Sequence, residues 1–227
     1  FMKRLVTIAF LVVSIIAQAQ HKETRKISNS RGIDVSSSIQ ATYIHSNRNE
    51  VVVEVENAEH LKKLETVVEK GTLFIRYKSR SNIRTSTPNR VTIYTSAPLQ
   101  AVKVTSSASL RLDSAAKASP FDVDVNSSGK LLASQITAED VHVDVSSSGR
   151  FDGKLSCSSL DIEASSSGKI VLAGTADQAD IEKNFSANAN LPVLKHKRAN
   201  IESRSLAQAT VQVPCAYKHN VSSPRHV

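Results

Sequence analysis

A serine-rich corner returns through the second half of the chain at a nearly constant interval, and this restricts the fold more than any other feature of the sequence. The clearest copies are Val104-Thr105-Ser106-Ser107-Ala108-Ser109-Leu110, Val125-Asn126-Ser127-Ser128-Gly129-Lys130-Leu131, Val145-Ser146-Ser147-Ser148-Gly149-Arg150-Phe151 and Ala164-Ser165-Ser166-Ser167-Gly168-Lys169-Ile170. Ala108, Gly129, Gly149 and Gly168 stand 21, 20 and 19 positions apart, and weaker copies continue through Ala187 and Ala207 at 19 and 20. A fixed period of this length is the signature of a solenoid, in which each repeat covers the apolar face of the next.

Within each copy, apolar and polar residues alternate before and after the corner, as strands with one buried face require. Val123 and Val125, Val143 and Val145, and Ile162 and Ala164 share the inward face of the first strand. Leu131 and Ala133, Phe151 and Gly153, and Ile170 and Leu172 share that of the second. The predicted fold is all-β: a β-solenoid, or β-helix, of ~20-residue coils behind an N-terminal β capping region. At the structural corners Gly129, Gly149 and Gly168, glycine permits either a positive φ or a close approach of backbones, and the preceding serines can satisfy turn amides with their hydroxyls.

The outward positions also repeat. Asp124, Asp144, Glu163, Glu182 and Glu202 occupy one repeat position, and Asp122, His142, Asp161, Asp180 and Asn200 the position two residues earlier. Stacking turns them into two polar ladders, whose like charges call for solvent screening, neighbouring cations or a bound metal such as calcium. Lys130, Arg150 and Lys169 follow the corners as a basic stripe. One reading of the ladder Asp122, Asp124, His142, Asp144, Asp161, Glu163, Asp180 and Glu182 is a solvated face that keeps the solenoid soluble. The other is a binding surface for a charged glycan or a divalent cation.

Residues 20–100 repeat differently and read as an entry and cap region. Val51–Glu56, Thr72–Tyr77 and Val91–Thr95 alternate as strands, Ala58–Leu64 fits one or two helical turns, and Ser79–Arg90 reads as an exposed loop. The repetitive solenoid spans 101–213, and a divergent tail follows over 214–227.

Lys3 and Arg4 precede an apolar run from Leu5 to Ile16 and the small-residue pattern Ala17-Gln18-Ala19, so residues 1–19 read as a signal peptide and the protein as exported. That run is shorter than the about 20 residues a membrane helix needs, and no second apolar stretch follows. The formal charge of +8 comes from residues that are scattered rather than clustered with aromatics, an arrangement that does not suit nucleic acid. Cys157 and Cys215 share an oxidising compartment if the leader is used. Their separation of about three coils, at ~4.8 Å per coil, exceeds disulfide reach, and Cys157 reads as a small packed residue.

The Ser-Ser-Gly corners, the entry strand Gly32-Ile33-Asp34-Val35, and Gly71-Thr72-Leu73-Phe74-Ile75 ahead of Val91-Thr92-Ile93-Tyr94 together resemble the auto-transporter adhesin head domain family, also called the head GIN domain, of exported Bacteroidetes proteins. The resemblance covers roughly residues 30 to 210. It implies a β-helical, exported, adhesin-like protein and supplies no catalytic or ligand-binding residues. The chain departs from the pattern at Lys183-Asn184-Phe185-Ser186-Ala187, where Lys183 and Phe185 stand at positions expected to pack small or apolar side chains.

The resulting expectation is a non-enzymatic protein of the cell envelope or surface, without a cofactor, whose solenoid faces bind glycan or envelope polysaccharide. The alternative is a structural envelope protein that self-associates. A polysaccharide-active enzyme using outer carboxylates is the distant third reading.

Overall fold

Alternating burial organises the chain into strands, and the corners between them set its direction. The computed structural model describes residues 21–204, 208–211 and 217–222, with side chains described through residue 190 and at residues 198 and 200–202. The leader reading of 1–19, Cys215 and most of the 214–227 tail lie outside the described residues.

In chain order the elements are β1 (His21–Lys26), β2 (Gly32–Val35), β3 (Gln40–His45), β4 (Glu50–Val55), α1 (Ala58–Lys63), β5 (Leu64–Glu69), β6 (Thr72–Tyr77) and β7 (Arg90–Thr95). The repetitive region follows with β8 (Ala101–Val104), β9 (Ser109–Leu112), β10 (Ala116–Lys117), β11 (Phe121–Val125), β12 (Lys130–Thr137) and β13 (Asp140–Val145). The last strands are β14 (Arg150–Ala164), β15 (Lys169–Asn184), β16 (Asn188–Arg204), β17 (Gln208–Val211) and β18 (Tyr217–Ser222).

Parallel pairing stacks these strands into columns, the β-solenoid expected from the repeat. The first column runs β6, β2, β8, β11, β13 and then the second halves of β14, β15 and β16. The second runs β7, β3, β9, β12 and then the first halves of β14, β15 and β16. A shorter third column begins at Ala116 and continues through Ile136, Leu155 and Gly174.

Inward residues form apolar ladders because parallel register places like positions on neighbouring coils. Ile33, Val102, Val123, Val143, Ile162, Ile181 and Ile201 make one such ladder, and each is buried. Ala41, Leu110, Leu131, Phe151, Ile170 and Ala189 face them from the second column. Each fully buried aliphatic side chain contributes about 1.5–3 kcal/mol by leaving water.

Two further coils, β2–β3 and β6–β7, lie inside the entry region. Ser36-Ser37-Ser38-Ile39 forms a corner between β2 and β3, and the β2–β3 coil lies between the β6–β7 coil on one side and the β8–β9 coil on the other. Spatial order therefore differs from chain order at this end. Beyond β7 the pairing reverses: β4 joins β7 and β1 joins β4 antiparallel, while β5 joins β6 antiparallel. Arg25 fastens this end by donating to the carbonyl oxygens of Leu64 at 2.7 Å and Leu61 at 2.8 Å. The short helix α1 begins at Asn57, whose side chain accepts the His60 amide.

The corners differ from expectation in where the unusual backbone lies. The left-handed residues are the serine pairs Ser37–Ser38, Ser106–Ser107, Ser127–Ser128, Ser147–Ser148 and Ser166–Ser167, with φ between 46° and 66°. The turn amides are satisfied from backbone to backbone rather than by serine hydroxyls: Ser107, Ser128 and Ser148 each donate to the first left-handed serine of the next coil at 3.0–3.1 Å. What singles out glycine is proximity. A β-carbon at Gly129, Gly149 or Gly168 would lie 2.2–2.3 Å from the carbonyl oxygen of Val104, Val125 or Val145 on the coil before.

At the divergent corner, Lys183 does occupy a core position, fully buried in register with Ala164. Phe185 does not pack: it takes φ 57° and points outward, 66% exposed, because it stands where the other corners place a left-handed serine. Cys157 is a free, partly buried thiol packed against the core, and burial pushes its pKa up to about 11.

Candidate binding face

The outer surface of the first column carries the polar ladders. Register places Gly32, Ala101, Asp122, His142, Asp161 and Asp180 in one row. Asp34, Lys103, Asp124, Asp144, Glu163 and Glu182 form the parallel row. Neighbouring rungs are ~4.8 Å apart, close enough for like charges to interact strongly.

Repulsion is relieved locally. Lys103 forms an ion pair with Asp124, and the Asn126 side-chain amide donates to the same carboxylate at 2.7 Å while accepting the Thr105 hydroxyl proton at 2.7 Å. His142 Nδ1 lies 3.2 Å from Asp161, and the Gln178 amide donates to Asp180 at 3.1 Å. Burial raises the Asp144 pKa above the usual carboxylate value, with Asp124 adding to the effect and Lys103 opposing it. Burial likewise raises the pKa of Asp34, where Lys103 and Arg76 oppose the shift. The Lys103 ammonium is raised chiefly by its hydrogen bond to Asp124.

At the N-terminal end of this face, small residues open a depression. Gly32 and Ala101 leave its floor low, Phe74 stands beside Thr72 on the outer coil, and Asp34, Lys103, Asp122, Asp124, His142 and Asp144 border the remainder. The resulting groove has a volume of about 520 Å³. Arg76 lies over the Phe74 ring, 5.1 Å from its centre. Phe74, Gly32, Ala101, Asp34 and Lys103 were not among the expected site residues: Gly32, Asp34 and Phe74 belong to coils whose order in space departs from the sequence, while Ala101 and Lys103, one coil before Asp122 and Asp124, carry no carboxylate to extend the acidic rows.

The basic stripe lies on the outer surface of the second column, where Lys130, Arg150 and Lys169 are in direct register and exposed. Arg150 is paired with Asp152 on its own strand, and Arg111 with Asp113. Leu132 stands two residues beyond Lys130 and is 50% exposed. The acidic ladders and the basic stripe are therefore on different faces, separated by the apolar core. Among the described residues no three His, Cys, Asp or Glu side chains converge on a point that could hold a metal ion. No helix among the described residues is long and apolar enough to cross a membrane.

Comparison with solved structures places this architecture among known all-β folds. A protein from Parabacteroides distasonis described as a "putative lipid binding protein" superposes with a TM-score of 0.75 at 17% identity, covering 90% of this chain and 92% of its own. A "putative adhesin" from Bacteroides fragilis gives 0.68 at 11% identity over 91% and 96% of the two chains. Another "putative adhesin" from Parabacteroides distasonis gives 0.69 at 18% identity over 91% and 98%. At these identities the likeness establishes the fold. No curated protein matches the sequence. The sequence over residues 30–224 matches the family model described as "Putative auto-transporter adhesin, head GIN domain", and the chain belongs to that family.

Proposed function

We propose that this is an exported, adhesin-like protein of the cell envelope that binds glycan along the outer face of its first strand column, without catalysing a reaction. The observation that carries this reading is the groove where the Phe74 ring, the low floor at Gly32 and Ala101, and the polar groups of Lys103, Asp122, Asp124 and Asp144 meet. A sugar presents an apolar C–H face and a rim of hydroxyls. An aromatic side chain beside carboxylates and an ammonium complements both parts, and a concave surface with few fixed polar groups orients a ligand. Further rungs down to Glu163 and Glu182 extend the polar surface, which suits a polymer better than a single ring. Export rests on the N-terminal apolar run and its small-residue cleavage pattern.

The test is an array of glycans and envelope polysaccharides probed with the mature protein, in calcium and in chelator, beside Phe74→Ala and the triple variant Asp124→Asn, Asp144→Asn, Glu163→Asn. Saturable binding that weakens at least tenfold in both variants is the expected result. Absence of binding by a folded wild-type protein overturns the reading. Phospholipid vesicles form a separate arm because one structural relative is described as lipid-binding; binding there alone would replace glycan by lipid as the ligand.

A further inference from the structure

The acidic ladder and the basic stripe are built on the same coils, so they share one spacing. Asp124, Asp144 and Glu163 occupy consecutive rungs of the first column, and Lys130, Arg150 and Lys169 occupy the corresponding rungs of the second. Whatever the twist and rise of the solenoid, a second copy carries the identical pair of rows. The two rows are commensurate by construction, a match that no unrelated surface would share automatically.

The two faces also point apart. Inner side chains of the two columns meet in the core, so their outer sides face in different directions around the rod. A single copy can therefore offer carboxylates to one neighbour while offering cations to another. We propose that the protein associates laterally with further copies of itself, the basic stripe of one copy lying on the acidic ladder of the next with coils aligned. This contact is heterologous, since different patches meet, and it does not close on itself unless the rotation between copies happens to form a ring.

Charge distribution within each face favours such pairing. Lys103 partly neutralises Asp124, and Asp152 partly neutralises Arg150, which leaves the excess charge at Asp144 and Glu163 on one side and at Lys130 and Lys169 on the other. Half-exposed Leu132 adds apolar area beside the stripe, the composition that interface centres favour over their rims. The net positive charge of the chain repels copies at long range. At physiological ionic strength that repulsion is screened beyond about 8 Å, so the contacting rows decide the outcome. A single exposed ion pair contributes little, so the association depends on several pairs forming in register and is expected to be weak and salt-sensitive.

This inference does not depend on glycan binding, and its test contains no glycan. Sedimentation velocity of the mature protein is recorded over a range of concentrations at low salt and at ~0.5 M salt, where the Debye length falls to a few ångströms. Two charge-reversed proteins are compared: Lys130→Glu, Arg150→Glu, Lys169→Glu, and Asp124→Lys, Asp144→Lys, Glu163→Lys. The wild type is expected to show concentration-dependent association that salt abolishes. Each reversed protein alone, with two faces of like sign, is expected to stay monomeric, and an equimolar mixture of the two to associate again. Circular dichroism checks that each is folded; if the triple reversals unfold, the pair Lys130→Glu, Lys169→Glu mixed with Asp144→Lys, Glu163→Lys takes their place. A monomeric wild type at low salt, association that survives reversal, or two folded variants that ignore each other would each overturn the proposal.

Discussion

The carbonyl oxygen of Val125 lies where a β-carbon on Gly149 would approach within 2.2 Å. A hydrogen bond from the Ser146 amide to that same oxygen, at 3.0 Å, holds the two coils at this separation. Since the obstruction is backbone and not the end of a flexible side chain, it cannot swing aside. Gly149→Ala is expected to destabilise the protein by about 3 kcal/mol, the upper part of the range for overpacking, as read from urea unfolding. Gly71→Ala is the control: no atom lies within 4 Å of a β-carbon there, so its cost should be only that of an alanine at φ 81°.

The serine pairs carry the opposite lesson. Ser147 and Ser148 both hold φ in the left-handed region, at 48° and 63°, a combination that Asn-Gly adopts with less strain in tight turns. Their amide and carbonyl bonds run through the backbone, so changing the side chains leaves those bonds in place. Ser147→Asn with Ser148→Gly is expected to stabilise the fold by about 1 kcal/mol, a rise of roughly 2–4 °C in thermal midpoint for a chain of this size.

Lys183 is a buried ammonium whose Nζ has no hydrogen-bond partner among the described residues, and burial lowers its pKa to about 8. Between that value and its ordinary 10.5, the unfolded chain holds a proton that the folded chain has released, so stability rises with pH across this window. Below about 8 the folded state carries the full cost of the buried charge, on the order of 3 kcal/mol. Lys183→Val would continue the ladder formed by Val104, Val125 and Val145. It is expected to raise the unfolding midpoint at pH 7 and to flatten the rise between pH 8 and 10.5.

Glu56 anchors the polar segment that follows β6. Its carboxylate accepts the Thr85 hydroxyl proton together with the amide and hydroxyl protons of Ser86, and these bonds pull its pKa down to about 2. A lowered carboxylate stabilises above its ordinary value of 4.5, and the effect is lost as pH falls through about 2. Glu56→Gln is expected to speed hydrogen exchange of the Ser86 amide severalfold near neutral pH and to leave the core strands unchanged. Equal exchange rates in the two proteins would show that the carboxylate does not hold the segment.

The phase of the Ser-Ser-Gly corners made the coils from Ala101 onward legible before any coordinates, because parallel stacking repeats the same demand at each turn. The coil from Gly32 to His45 escaped that reading. Its corner ends in Ile39 instead of glycine, and two strands and a helix intervene before its neighbours in space appear in the sequence. For the same reason the part of the groove around Gly32 and Phe74 could not be read from spacing, whereas the rungs from Asp122 to Glu182 could. The left-handed serines were hidden for a different reason: local preference assigns such backbone to glycine or asparagine, and here coil-to-coil hydrogen bonding outweighs it. A hydrophobic residue at an altered corner suggests packing, but Phe185 belongs to the outward tip of the turn.

Interleaving at the N-terminal end has a consequence for how the molecule assembles. The coil from Gly32 to His45 gains its neighbours only when strands from residues 72–95 and 101–112 have arrived, so completing this end closes far longer loops than the later coils do. Loop closure over such separations is entropically slow, whereas each later coil pairs with its neighbour through contacts about 20 residues apart. The capped end is therefore the entropically costly end of the solenoid, and the coils from Ala101 onward are those whose pairing closes at least cost.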